Sequence, residues 1–153
     1  MTTDTILKNK DEEDIITMTM AGSCLCGSVK FTATGVGGDH GVCHCGTCRK
    51  WSGGPTMAIH VESLSFENEE KVKAYISSEW AERGFCQECG THLFYRLRDG
   101  SMTVVWAGAF DKNDGFSLGS EIYIESKPEG YSFAGEHPRM TEHEFLKSLG
   151  MAE

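Results

Sequence analysis

Cys43-His44-Cys45-Gly46-Thr47-Cys48 sets three cysteines within six residues, and the same chain carries Cys24-Leu25-Cys26-Gly27 and Cys86-Gln87-Glu88-Cys89-Gly90. These stretches hold all seven cysteines of the 153-residue chain, and none stands alone. Two cysteines one to four residues apart can grip one ion from a tight turn, and Zn²⁺ takes thiolate or imidazole ligands in a tetrahedral set. The neighbours are Gly, His, Thr and Ser, not the apolar surroundings of a reduced core cysteine that packs as a small hydrophobe. The odd count argues against a disulfide framework, and the N-terminus lacks the basic-then-apolar pattern of a signal peptide. A reducing, cytoplasmic location is the expectation.

Spacing alone allows several pairings of these clusters. Gly27 and Gly90 directly follow Cys26 and Cys89, whereas Cys48 is followed by Arg49. In a metal knuckle the residue after the second cysteine often needs positive φ so that backbone N–H groups turn toward the sulfurs, and glycine adopts that conformation without strain. This favours one closed four-thiolate site on Cys24, Cys26, Cys86 and Cys89, and leaves Cys43, Cys45 and Cys48 together. Three protein ligands with an open fourth position is the arrangement of catalytic zinc. The alternative is a second closed site completed by His40, His44, His60 or His92. His44 is the least suited, since a residue wedged between two ligating cysteines points away. Two Zn²⁺ per chain are expected. A redox pair at Cys45 and Cys48 lacks βαβ surroundings, and the spacings match neither common ferredoxin pattern.

Outward from the cysteines, short runs of β-branched and aromatic residues bounded by Gly, Asn and Asp read as strands. The expected strands are Thr17 to Met20, Val29 to Thr34, Thr56 to Val61, Val72 to Ser77, His92 to Leu97, Met102 to Ala107 and Glu121 to Glu125. In the fifth, Phe94, Tyr95 and Leu97 mix both parities, which predicts a strand covered on both faces. Gly35-Val36-Gly37-Gly38-Asp39-His40-Gly41 reads as an adaptable loop. The one expected helix lies at the C-terminus, where Thr141 and Glu144 form a capping box ahead of Phe145, Leu146 and Leu149, and it is expected to cap the core. The organisation is a polar, disordered arm over residues 1–16 and a single mainly β domain over residues 17–150.

The formal charge of −9 repels a phosphate backbone, so no nucleic-acid partner is expected. No apolar run approaches the roughly 18 residues of a membrane span, so no membrane association is expected.

Gly22-Ser23-Cys24-Leu25-Cys26-Gly27, Cys43-His44-Cys45-Gly46-Thr47-Cys48-Arg49-Lys50-Trp51-Ser52-Gly53 and Arg83-Gly84-Phe85-Cys86-Gln87-Glu88-Cys89-Gly90-Thr91 together resemble the glutathione-dependent formaldehyde-activating enzyme family, which includes centromere protein V. The resemblance implies a mainly β, Mss4-like (β-tent) zinc-binding fold. It also implies a structural zinc on Cys24, Cys26, Cys86 and Cys89, and a catalytic zinc on Cys43, Cys45 and Cys48. The implied activity is that of a carbon–sulfur lyase joining formaldehyde to glutathione, as an S-(hydroxymethyl)glutathione synthase does. Ile122-Tyr123-Ile124-Glu125-Ser126-Lys127-Pro128 fits the family pattern, but Gly130 stands where an aromatic residue usually follows the Lys-Pro pair.

A zinc site with three thiolates carries net charge −1, so it is a poorer generator of hydroxide than a histidine-rich site and better suited to hold sulfur. Arg49 and Lys50 are candidates to pair with glutathione carboxylates, and Trp51 to wall the pocket, although such residues also serve as solvated surface and core. The competing reading is a non-catalytic zinc module that binds a protein partner or chromatin. Acidity and the lack of a basic tail weigh against chromatin.

Overall fold

The computed structural model describes residues 18–151, so the arm expected over residues 1–16 lies outside the described residues. Among the described residues the chain is mainly β. The strands are β1 Thr19–Ser23, β2 Lys30–Thr34, β3 Asp39–Cys43, β4 Thr56–Val61, β5 Ser63–Glu67, β6 Val72–Ile76, β7 Ala81–Cys86, β8 His92–Leu97, β9 Thr103–Trp106, β10 Ser117–Ile122 and β11 Arg139–Met140. Two helices accompany them, α1 Gly46–Ser52 and α2 Glu142–Ser148. No helix among these residues is long and apolar enough to cross a membrane.

The chain divides into two compact units, one of residues up to Gly38 with Ile59–Gly115, the other of Asp39–Ala58 with the residues from Phe116 onward. In the first, β1, β2 and β5 form an antiparallel sheet in which Phe31 stands opposite Gly22 and Phe66. Strand β2 alternates as a half-buried strand should, with Phe31 and Ala33 inside and Lys30 and Thr32 outside. Strands β6 to β9 pair antiparallel in sequence order. Phe31 meets Phe66 and Phe110 edge-on at 6.2 and 5.5 Å between ring centroids, and Phe66 meets Phe94 at 5.7 Å. Each such ring removed from water stabilises the fold by about 1.5–3 kcal/mol. Leu93 and Phe94 are consecutive and both buried, so β8 is covered on both faces.

Gly84 in β7 is required by packing. A Cβ there would lie 2.1 Å from the Phe94 ring, and Phe94 is too deeply buried to move aside. Gly84→Ala is expected to destabilise the chain by about 1–3 kcal/mol through overpacking, read as a lowered urea midpoint with an unchanged slope.

In the second unit β3 runs parallel to β10 and antiparallel to β4, and β10 runs parallel to β11. The expected glycine loop over residues 35–41 is therefore half wrong, since Asp39 onward is strand. Tertiary pairing on both sides of β3 overrides the poor strand propensity of Gly41. Strand β10 begins four positions before the expected Glu121 and ends at Ile122, where Tyr123 takes a left-handed φ of 58° and Ile124–Ser126 form one tight helical turn. Strands β5, β7 and β11 were also unexpected, as β7 carries the ligand motif and β11 is only two residues long.

Helix α2 has the expected capping box, with both the Thr141 and Glu144 bonds present, but it does not cap the core. None of its residues is buried, because seven residues present too little apolar face. Phe145 instead rests near the Tyr123 ring, and the Glu125 carboxylate accepts the Glu142 N–H.

Candidate metal centres

The turn after β1 supplies Cys24 and Cys26, and the turn after β7 supplies Cys86 and Cys89. Their four sulfurs lie within 4.8 Å of one another. The Cys24–Cys26 and Cys26–Cys86 separations are 3.6 and 3.9 Å. Tetrahedral zinc–sulfur bonds of 2.3 Å correspond to an edge of about 3.8 Å, so the donor set fits a four-thiolate ion. Gly27 and Gly90 take left-handed φ of 79° and 78°, which closes each turn with an N–H to the carbonyl of Cys24 or Cys86. The N–H groups of Val29 and Glu88 donate to the sulfurs of Cys24 and Cys86, each at 3.3 Å.

Cys24, Cys26 and Cys89 do not ionise alike. Burial lifts Cys24, but hydrogen bonds led by the Val29 N–H outweigh it and bring the thiol below its ordinary value. The Thr91 hydroxyl, donating at 3.1 Å, is the main cause that brings Cys89 down to about 5. Cys26 is pulled down by Ser28 yet ends raised, through burial and its neighbours Cys24 and Cys89. One site thus favours negative charge on some sulfurs and repels it from another, a conflict that a divalent cation resolves.

The second cluster comes from the end of β3 and the start of α1. The sulfurs of Cys43, Cys45 and Cys48 lie within 4.8 Å, and among the described residues no imidazole nitrogen or carboxylate joins them at that distance. Helix α1 was not expected, because it has no apolar stripe and opens on glycine. Local chemistry holds it instead: Cys45 is its N-cap and accepts the Cys48 N–H at 3.2 Å, and Gly53, at φ 87°, returns its N–H to the Arg49 carbonyl. Cys43 is raised strongly by hydrogen bonding with the sulfurs of Cys45 and Cys48 and then by burial. Thiols crowded this way hold their protons against water and release them to a metal.

His44 is fully buried and turned from the sulfurs. Its Nε2 is 2.7 Å from Glu121 Oε1 and its Nδ1 is 2.9 Å from the Tyr131 hydroxyl. The other Glu121 oxygen accepts from His137 Nε2 at 2.6 Å and Arg139 Nε at 2.9 Å. Arg139 also donates to the carbonyls of Phe133 and Gly135, which fixes an irregular segment. Burial works against ionising Glu121, but His137, His44 and the Arg139 charge together hold its carboxyl below the ordinary glutamate value. The buried residues of this unit are therefore partly polar, with His44, Thr56 and Glu121 beside Val42 and Cys48.

Of the other residues singled out, Arg49 reaches back so that its Nε donates to the His44 carbonyl at 2.9 Å. Lys50 is exposed and Trp51 half-buried, both on α1. His40, His60 and His92 lie on β3, β4 and β8, and none joins a sulfur cluster. Glu121, Tyr131, His137 and Arg139 were not anticipated. The one available signal was a glutamate at the head of the expected strand Glu121 to Glu125.

A model of the family described as glutathione-dependent formaldehyde-activating enzyme matches residues 19–126. A Schizosaccharomyces pombe protein described as an uncharacterized lyase is 33% identical over 130 residues, covering 84% of this chain and 95% of that protein. A Rhodobacter sphaeroides protein of known crystal structure is similar with a TM-score of 0.51 and 22% identity, over 78% of this chain and 99% of that one, a likeness of fold.

Proposed function

The chain belongs to the glutathione-dependent formaldehyde-activating enzyme family, and on that premise we propose that it is a zinc-dependent carbon–sulfur lyase acting on a glutathione-type thiol and formaldehyde or a related small electrophile. The lyase name of the Schizosaccharomyces pombe relative supports the reaction class. The observation that carries the reading is the cluster of Cys43, Cys45 and Cys48, with three sulfurs and no fourth protein ligand among the described residues. In this reading Cys24, Cys26, Cys86 and Cys89 hold a structural Zn²⁺, and Cys43, Cys45 and Cys48 hold a catalytic one.

Bound at the second cluster, Zn²⁺ would supply a position at which a thiol is held as thiolate, the form that attacks carbon. Overall, thiol and formaldehyde combine so that a sulfur–carbon bond forms, the carbonyl π bond breaks and the thiol proton ends on oxygen. The chain's part is positioning. Cys45 anchors α1, and α1 carries Arg49 and Lys50 beside the cluster, where they are suited to glutathione carboxylates. Arg49 commits its Nε to the His44 carbonyl, so its terminal nitrogens would make that contact. Trp51 on the same helix would contribute to the wall.

Two-dimensional exchange NMR tests the proposal. The purified protein should accelerate exchange between glutathione and its S-hydroxymethyl adduct in the presence of formaldehyde, and S-methylglutathione should compete far more weakly than glutathione. Exchange no faster than in buffer would overturn the lyase reading, and equal competition by the S-methyl compound would overturn binding through sulfur.

A further inference from the structure

Strand β6 is the last strand of its sheet, with β7 on one side and, among the described residues, no strand on the other. The bonds at its two ends fix the direction of its backbone groups. The Gln87 N–H reaches the Lys71 carbonyl and the Ser77 N–H reaches the Ala81 carbonyl, so the odd-numbered residues turn their backbone groups toward β7. These groups alternate along a strand, and Val72, Ala74 and Ile76 therefore turn theirs outward. The Val72 N–H closes on the Glu69 carbonyl. That leaves the Val72 carbonyl, and both groups of Ala74 and Ile76, along the outer edge.

The side chains of β6 are open as well. Lys73, Ala74, Tyr75 and Ile76 are all exposed, so the strand is uncovered on both faces, whereas its neighbour β7 is buried at Ala81, Arg83, Gly84 and Cys86. Tyr75, Ile76 and Trp80 are 57, 52 and 63% exposed, which gathers three large apolar side chains within six residues. An open edge is a template for another strand, and native proteins guard it with charge, proline, a bulge or a cover. Between Val72 and Ile76 the one charge is Lys73, there is no proline, and the register with β7 is unbroken.

What fits this edge is the edge itself. Turned antiparallel about a two-fold axis through Ala74, two copies of β6 set Ala74 opposite Ala74, Val72 opposite Ile76 and Lys73 opposite Tyr75. Outward groups then meet outward groups. The two Ala74 residues exchange both N–H···O bonds, and each Ile76 N–H meets the Val72 carbonyl of the other copy. Lys73 and Tyr75 fall in the pair without hydrogen bonds, where side chains approach most closely, so each half brings a cation to an aromatic ring. An axis through Lys73 would oppose two like charges, and one through Tyr75 would leave Val72 unpaired and Lys73 opposite Ser77.

We propose that a second copy of this chain docks on β6, edge to edge about Ala74, and joins strands β6 to β9 of the two copies into one continuous sheet. Five residues a side bury far less than a standard interface, so the dimer is weak, with a dissociation constant of about 10–100 µM.

Sedimentation velocity on the full-length protein at matched zinc content, from about 1 to 500 µM, should show the mean mass rise from one chain of 16.8 kDa toward two. Ala74→Pro removes only an outward N–H and sets a ring on the axis, so the chain should fold as wild type does and stay monomeric. Lys73→Pro removes an N–H aimed at β7 and should instead lower the thermal midpoint. Tyr75→Lys opposes like charges twice and should weaken the dimer about tenfold, and adding Lys73→Glu makes both pairs opposite in sign and should restore it. Amide exchange gives a second readout. The Ala74 and Ile76 amides should become protected as concentration rises, whereas those of Lys73 and Tyr75 should be protected throughout. Wild type that stays monomeric overturns the proposal, whether Ala74 and Ile76 exchange freely, as on a bare edge, or slowly at every concentration, as on an edge covered by other residues of the same chain. A dimer that survives Ala74→Pro, or that the double charge variant fails to restore, overturns the pairing about Ala74. Should Ala74→Pro fail to fold, the charge variants decide.

Discussion

Cys86→Ser and Cys89→Ser are expected to give insoluble or molten protein, whereas Cys45→Ser and Cys48→Ser should stay folded, keep one zinc and lose thiol-dependent exchange. Cys26 and Cys86 stand 60 positions apart, so an ion on the first cluster would fasten the turn after β1 to the turn after β7. A structural zinc contributes an apparent 10–16 kcal/mol, while whole domains are stable by only about 5–15 kcal/mol. Losing that ion removes a quantity as large as the total stability. The second cluster lies within six residues and crosses no such distance. Serine is also a good N-cap, so Cys45→Ser can preserve the start of α1. Circular dichroism, zinc content and the exchange assay on these four variants distinguish the sites. Unfolding in the Cys45 and Cys48 variants, with only activity lost in the Cys86 and Cys89 variants, would reverse the assignment.

What the sequence made legible about these clusters was local. Gly27 and Gly90 announce their left-handed turns because glycine takes that backbone at no steric cost, and the capping box at Thr141 and Glu144 is complete within four residues. Strands β4 and β8 have the expected bounds, Thr56–Val61 and His92–Leu97. What stayed hidden depends on partners far along the chain. Strand β3 is a strand because β10 and β4 flank it, not because Gly41 favours one. Helix α1 is seven residues held by a cysteine cap, a signal outside the usual Ser, Thr, Asp and Asn. The His44 network joins residues 77 and 87 positions apart, and no spacing rule reaches that far.

Glu121 shows how much of the second unit rests on that network. Its carboxylate is almost wholly buried and takes N–H groups from His44, His137 and Arg139. Glu121→Gln keeps the shape, removes the charge and sets an amide NH₂ against donors, leaving Arg139 without its charge partner. Glu121 is buried but Arg139 is 37% exposed, so solvent compensates part of the broken pair, and a loss of about 1–3 kcal/mol is expected at neutral pH. The sign of the pH dependence follows from the lowered folded-state value of Glu121. The unfolded chain takes up the proton first, so the carboxylate's contribution is fully present above the unfolded glutamate value of about 4.3 and is lost as pH falls through the folded one. The stability gap between wild type and Glu121→Gln should accordingly be widest near neutrality and close below about pH 4.3. Urea unfolding of the two at matched pH values measures the gap. A gap that stays constant into acid would mean that Glu121 acts through shape and not through charge.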